Sequence, residues 1–174
     1  MLTSLALPVP LPVRTGEVIM RRAEVADLDR LMILLADDPI SSSRGDVAAD
    51  GDRELYRSAL KSIIDDSANE LLVVDGPTGD LIGTMQLTRI PGMARRGSTR
   101  LQVEAVRVRQ DQRSSGIGSA MMRWVTDVAA PAVGSTLVQL TSDAARADAH
   151  RFYERLGFTP SHVGFKYRVA STAE

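Results

Sequence analysis

The residues Arg113-Ser114-Ser115-Gly116-Ile117-Gly118, preceded by Gln112, put one arginine and two glycines into a short polar stretch. Glycine lacks a Cβ and lets a ligand approach the main chain, and arginine adds a charge-assisted contact. If such a stretch opens a helix, unpaired backbone N–H groups and the positive end of the helix dipole converge on one point. That arrangement holds a phosphate or pyrophosphate without help from a lysine.

The flanking residues predict that setting. Val103, Val106 and Val108 lie in a β-branched run that breaks at Arg109-Gln110-Asp111-Gln112, so a strand leads into the loop. Beyond it, Ile117, Ala120, Met121, Trp124, Val125 and Val128 recur at helical spacing, and Ala130-Pro131 marks the expected helix end. A nucleoside-triphosphate loop would need Gly-Lys-Ser/Thr, but Ser119 follows Gly118 directly and the loop has no lysine. A dinucleotide fingerprint would need a third glycine where Met121 stands.

The rest of the chain supplies further elements. Residues 1–16 carry prolines at alternate positions and read as a flexible, extended tail or a short polyproline-like arm packed on the surface, with 17–174 as a single domain. Val18 to Glu24 predicts a strand, and Leu28, Leu31, Met32 and Leu35 a helix face beginning near Asp27. Pro39, serines 41 to 43 and Gly45 predict a loop, and Leu55, Ala59, Leu60, Ile63 and Ile64 a second helix. Leu71–Val74 and Leu81–Ile90 flank turn formers and predict a hairpin, and a loop with Arg95, Arg96 and Arg100 precedes the central strand. Those arginines could reach an anionic group or cap a solvated hairpin tip. Thr136 to Thr141 is the next strand. From Asp143 to Phe158, Ala149, Phe152, Tyr153 and Leu156 share a helix face that Gly157 ends.

The loop Arg113-x-x-Gly116-x-Gly118 with Gln112 resembles the coenzyme A pyrophosphate loop of the GCN5-related N-acetyltransferases (GNAT). Ala149, Phe152, Tyr153, Gly157 and Phe158 are similar to that family's terminal helix and following strand, and Arg21 to Leu28 to its opening strand and first helix. The run Arg146 to Tyr153 with Ser161-His162 also resembles bacterial aminoalkylphosphonate acetyltransferases.

The resemblance implies an α/β (α+β) GNAT acyl-CoA acyltransferase fold. Its mixed twisted sheet would have about seven strands, helices on both faces and a splay between the fourth and fifth strands. Acetyl-CoA is the implied acyl donor, with pantetheine against the main chain of Val106, Arg107 and Val108. The pyrophosphate would lie on Arg113, Ser114, Ser115, Gly116, Ile117, Gly118 and Ser119. Asp143 and Arg146 stand near a coenzyme-contacting asparagine of the family.

Acetyl transfer to an amine needs a neutral nucleophile, a stabilised oxyanion and a proton for the departing thiolate. Glu104 could act as the base; its alternative is an ion pair or an exposed strand face. The family position of Tyr153 implies the acid, against a packing role, and the Val108 N–H is the oxyanion donor the resemblance suggests. The implied reaction is direct transfer to a primary amine, with a small molecule ahead of a protein terminus or lysine, and the competing class is a non-catalytic acyl-CoA-binding module.

A net charge of -1 predicts no nucleic-acid binding through bulk charge, and the absence of cysteine excludes disulfides, thiolate metal sites and a cysteine nucleophile. His150 is expected at solvent or a neighbouring helix, while His162 could line an acceptor pocket or lie on the surface. No metal is expected. No run is long and apolar enough for a membrane span, and a cytoplasmic enzyme is expected, with a homodimer among its open assembly states. Asp37, Asp38, Asp46, Asp50 and Asp52 suggest either an acidic rim that attracts an amine or solvated loop charge.

Overall fold

Five apolar-patterned strands follow one another as antiparallel neighbours: β1 (Val9–Val13), β2 (Gly16–Arg22), β3 (Asn69–Asp75), β4 (Leu81–Ile90) and β5 (Arg100–Val108). A sixth, β6 (Leu137–Leu140), runs parallel to β5, which requires the long crossover between them. The computed structural model describes residues 1–38, 42, 45, 48–167 and 169, and these divide into two compact units, Met1–Leu140 and Thr141–Glu174.

In the first unit, α1 (Leu28–Ala36) and α2 (Arg53–Asp65) cover one sheet face, where Leu28, Leu31, Leu34 and Leu60 pack with Val73. Side chains alternate along a strand, so Val74 points to the other face. There it meets Gly83, and a Cβ on Gly83 would lie 3.5 Å from the Met121 sulfur of α3 (Ile117–Trp124). Helices therefore cover both faces of the sheet. Met121 is 0% exposed, and burying a side chain of that size contributes roughly 1.5–3 kcal/mol.

Several expected boundaries shift. Leu34 is buried while Leu35 is only half-buried, and on α2 only Leu60 is fully buried, with Leu55 and Ile64 exposed. The second helix thus lays down a narrower apolar stripe than its sequence offers. Beyond α3 a π-turn over Val125–Ala129 leads into a last helical turn, Ala130–Ala132, which closes one residue past Pro131, near the expected end. The extra residue in the π-turn rotates the inward position by one, which buries Ala129 and leaves Val128 exposed. The helix ends at Gly134, at φ +67°, where Ser135 N–H bonds Ala130 O at 2.8 Å and Gly134 N–H bonds Pro131 O at 3.0 Å.

The largest difference is at the start of the chain. Instead of a free arm, residues 1–16 form a 3-10 turn, Leu2–Ser4, and strand β1, whose Leu11 pairs with Val18. Leu2, Leu5 and Leu11 are buried, and Arg22 donates from Nη2 to the carbonyls of Thr3 and Leu5 at 3.2 and 3.1 Å.

The second unit contains α4 (Ala147–Arg155). Phe158 N–H bonds Tyr153 O at 3.1 Å and Gly157 N–H bonds Glu154 O at 2.9 Å, the paired bonds of a glycine-terminated helix. Residues 158–167 follow without regular structure, so the described sheet has six strands against the about seven expected.

Candidate active site

The centre of the site is an irregularity in β5. Thr84 pairs with Arg107 but Gln86 pairs with Glu104, so β5 carries an extra residue opposite Met85. Ala105 takes the left-handed φ of +51° that accommodates it. Such a bulge re-aims the strand and costs an L-residue roughly 1–2 kcal/mol. The ladder to β6 runs from Arg100↔Leu137 to Val103↔Leu140, and Glu104–Val108 lie beyond it. Bulge and ladder end coincide. This is where strands β5 and β6, the fourth and fifth once the N-terminal strand is set aside, are expected to part.

Along that segment Arg107 donates from Nη1 to the carbonyl of Val106 at 2.9 Å. Arg109 then fixes the exit of the strand: its N–H bonds Ile82 O at 2.9 Å and its guanidinium reaches Asp80 at 2.5 Å and Asp111 at 2.6 Å. The Thr78 hydroxyl and then Arg109 hold the Asp80 carboxyl down at about 2.

The loop from Arg113 to Gly118 opens α3 as expected. Gly116 is the N-cap residue at φ +97° and Ser114 stands at φ +66°, so left-handed residues flank Ser115. Alternation of this kind turns successive N–H groups toward one concavity. Ser115 Oγ donates to Gln112 O at 2.6 Å and closes the turn from behind. Arg113 is exposed and its Nε lies 3.4 Å from Val108 O. Among the described residues no backbone acceptor takes the N–H groups of Ser115 and Gly116. This donor set fits a pyrophosphate-bearing coenzyme: main-chain donors, a glycine cap and the start of an eight-residue helix.

Glu104 is exposed and lies on the face covered by α1 and α2, as its partner Gln86 does. Its Oε1 accepts from Gln102 Nε2 at 3.3 Å, and buried Gln102 in turn accepts from Gln139 Nε2 at 2.7 Å. A row of amides across β5 and β6 thus ends on the carboxylate, where an ion pair had been one expectation. The i, i+2 spacing of Gln102 and Glu104 on a strand was the available signal for this pairing, whereas nothing in the sequence pointed to Gln139.

Tyr153, Asp143 and Arg146 belong to the second unit. Tyr153 is half-buried between Phe152 and Phe158, with ring centroids at 5.1 and 5.9 Å in edge-on geometry. The Asp143 carboxylate accepts from Ala145 N–H at 2.8 Å, and Arg146 is the N-cap residue of α4. His150 is half-buried, with Nε2 2.9 Å from the Asp143 carbonyl, and His162 is exposed beside Ser161.

The suggested acidic rim is partly absorbed by the fold. Asp37 accepts from Gln110 N–H at 2.9 Å and Asp38 is buried. Pro39, Ser41, Ser43, Asp46 and the Asp50 side chain lie outside the described residues. Arg95 and Arg96 are exposed in left-handed conformation at the β4–β5 turn, beside a cavity of about 430 Å³ at the end of β5 opposite the loop. Among the described residues no cluster of His, Cys, Asp and Glu is arranged to hold a metal ion, and no helix is long and apolar enough to cross a membrane.

At the end of a mixed sheet, a bulged strand thus runs past its ladder with a parallel neighbour and feeds a left-handed loop at a helix start. Residues 32–158 match the Acetyltransferase (GNAT) family. The chain belongs to that family and is an N-acetyltransferase enzyme.

Among solved structures, a transcriptional regulator from Bacillus halodurans C-125 is similar at 37% identity and a TM-score of 0.82, over 87% of this chain and 99% of that one. Glucosamine-6-phosphate N-acetyltransferase from Arabidopsis thaliana superposes with a TM-score of 0.71 over 88% of this chain and 99% of its own. At 17% identity that likeness is one of fold. Aminoalkylphosphonate N-acetyltransferase from Salmonella typhimurium is 36% identical over 64 residues, a stretch covering 37% of this chain and 41% of that protein.

Proposed function

We propose that the enzyme transfers an acetyl group directly from acetyl-CoA to a primary amine of a small molecule. The observation that carries this reading is the Ala105 bulge placed where the β6 ladder ends, with the Gly116 loop at the end of the same strand. The main chain of Val106, Arg107 and Val108 would hold the pantetheine arm, as a short added strand. Arg113 and the loop from Ser114 to Ser119 would hold the pyrophosphate. Asp143 and Arg146 would add coenzyme contacts, a role that rests on their family position. Acetyl-CoA supplies the activated thioester.

The chain's own groups supply the rest of the reaction. Glu104 takes a proton from the acceptor ammonium, and its bond to Gln102 keeps one carboxylate oxygen oriented. The N–H of Val108 faces the charge that develops on the acyl oxygen. Tyr153 donates its phenolic proton to the leaving thiolate, a role that rests on its family position in the terminal helix. The small-molecule acceptor draws support from the partial likeness to the aminoalkylphosphonate enzyme.

The test is free-thiol release from acetyl-CoA over a panel of small amines, an amino-terminal peptide and a lysine peptide. Release with small amines alone is the expected result, and release only with peptides would replace the acceptor class. In the same assay Glu104→Gln should lower kcat about 100-fold and flatten the acidic limb of the pH profile, the loss expected for a general base. Tyr153→Phe should lower turnover while acetyl-CoA affinity stays unchanged; undiminished turnover removes that residue as the acid.

A further inference from the structure

We infer that Arg14, in the turn between β1 and β2, is a positioning residue for the coenzyme loop, an inference that rests on the reading of residues 113–119 as a pyrophosphate site. Arg14 lies about a hundred positions away in sequence yet grips the loop at consecutive peptide units. Its main-chain N–H donates to Ser115 O at 2.9 Å and its Nη1 donates to Ser114 O at 3.1 Å. Its Cγ would stand 3.5 Å from a Cβ placed on Gly116.

The consequence follows from peptide planarity. In a trans peptide the C=O and the next N–H point in opposite directions. Holding Ser114 O therefore turns Ser115 N–H away from Arg14, and holding Ser115 O does the same for Gly116 N–H. These are the donors that no backbone acceptor takes among the described residues. Arg14 thus sits behind the loop and directs its amides forward. Its guanidinium also polarises the Ser114 peptide so that the Ser115 N–H becomes a stronger donor to an anion.

Preorganised donors bind an anion without first losing conformational freedom, so removing the brace should act on affinity rather than on chemistry. The main-chain bond survives substitution, which separates the guanidinium from the hairpin's own structure.

The experiment compares wild type, Arg14→Ala and Arg14→Lys by calorimetric titration with coenzyme A and with pantetheine, by steady-state kinetics, and by hydrogen exchange of the loop amides without ligand. Arg14→Ala should weaken coenzyme A about tenfold, the scale of one charge-assisted hydrogen bond, and raise KM for acetyl-CoA alike. Its kcat at saturating acetyl-CoA and its melting temperature should match wild type, its pantetheine affinity should not change, and its loop amides should exchange faster. Arg14→Lys should recover part of the affinity. Coenzyme A affinity in Arg14→Ala equal to that of wild type overturns the inference while leaving the loop reading intact. A wild-type protein that binds no coenzyme A overturns the loop reading and the inference with it.

Discussion

At the scale of single residues, Asp27 shows how a buried charge is made tolerable. Its carboxylate is 1% exposed and accepts from Arg21 at 2.7 and 2.9 Å, from Arg30 at 2.5 Å and from the N–H of Glu24 at 2.9 Å. Burial pushes this carboxyl up, but the hydrogen bonds from Arg21 and Glu24 and the charges of both arginines outweigh it, and the group lies below its ordinary 3.8. A depressed folded value means that its stabilisation is complete above 3.8 and is lost as pH falls below that value through the lower folded one. Asp27→Ala removes the charge-assisted hydrogen bonds of Arg21, which keeps Asp75, and of the solvent-reaching Arg30, and should cost about 1.5–3 kcal/mol in urea unfolding at neutral pH. Wild type and variant should converge on acidification; a gap that persists undiminished at low pH would show that the charge is not what matters. From sequence Asp27 was legible as a helix start, because residue type and position are local. The second ion pair of Arg21, to Asp75 at 2.6 Å, was not, because β2 and β3 must pair before the residues meet.

At the scale of elements, the bulge in β5 re-aims the strand where its ladder with β6 ends. Without the extra residue the alternation of Val103, Val106 and Val108 would not switch faces, and the main chain beyond Glu104 would continue its original register. The sequence pattern carried a faint trace of this: Val103 and Val106 are an odd number of residues apart, which strict alternation does not allow for one face. Alanine, however, is not a residue whose type announces a positive φ. Ala105→Gly should be neutral or stabilise by up to about 1 kcal/mol, since glycine adopts φ +51° without strain. Ala105→Val should destabilise by about 1–2 kcal/mol and weaken coenzyme A binding in the same titration. Equal stability of all three proteins would mean that the left-handed backbone at this position is not held in solution. The π-turn in α3 shows the same limit on legibility: period 3.6 identified Met121 and Trp124 as buried, but one inserted residue exchanged Val128 for Ala129.

At the scale of the whole molecule, the N-terminal arm ties stability to the site. Its alternating prolines suggested a flexible arm, yet β1 is an edge strand, where a missing N–H can face outward without breaking a ladder. Apolar residues before and between those prolines, not the prolines themselves, decided the outcome: Leu2, Leu5 and Leu11 are 0%, 4% and 4% exposed. At roughly 1.5–3 kcal/mol for each buried leucine, an upper estimate, their sum is comparable to the whole stability of a domain. Removal of residues 1–15 should therefore abolish cooperative unfolding or lower the melting temperature by more than about 10 °C, with coenzyme A binding lost as well. Leu11→Ala keeps Arg14 and should destabilise by about 2–5 kcal/mol with coenzyme A affinity retained at temperatures where the protein is folded. The two variants separate the arm's roles: if Leu11→Ala loses affinity in step with stability, the loop depends on the packing of β1 as a whole, and if it does not, the contact of Arg14 with Ser114 and Ser115 is the link through which the arm reaches the site.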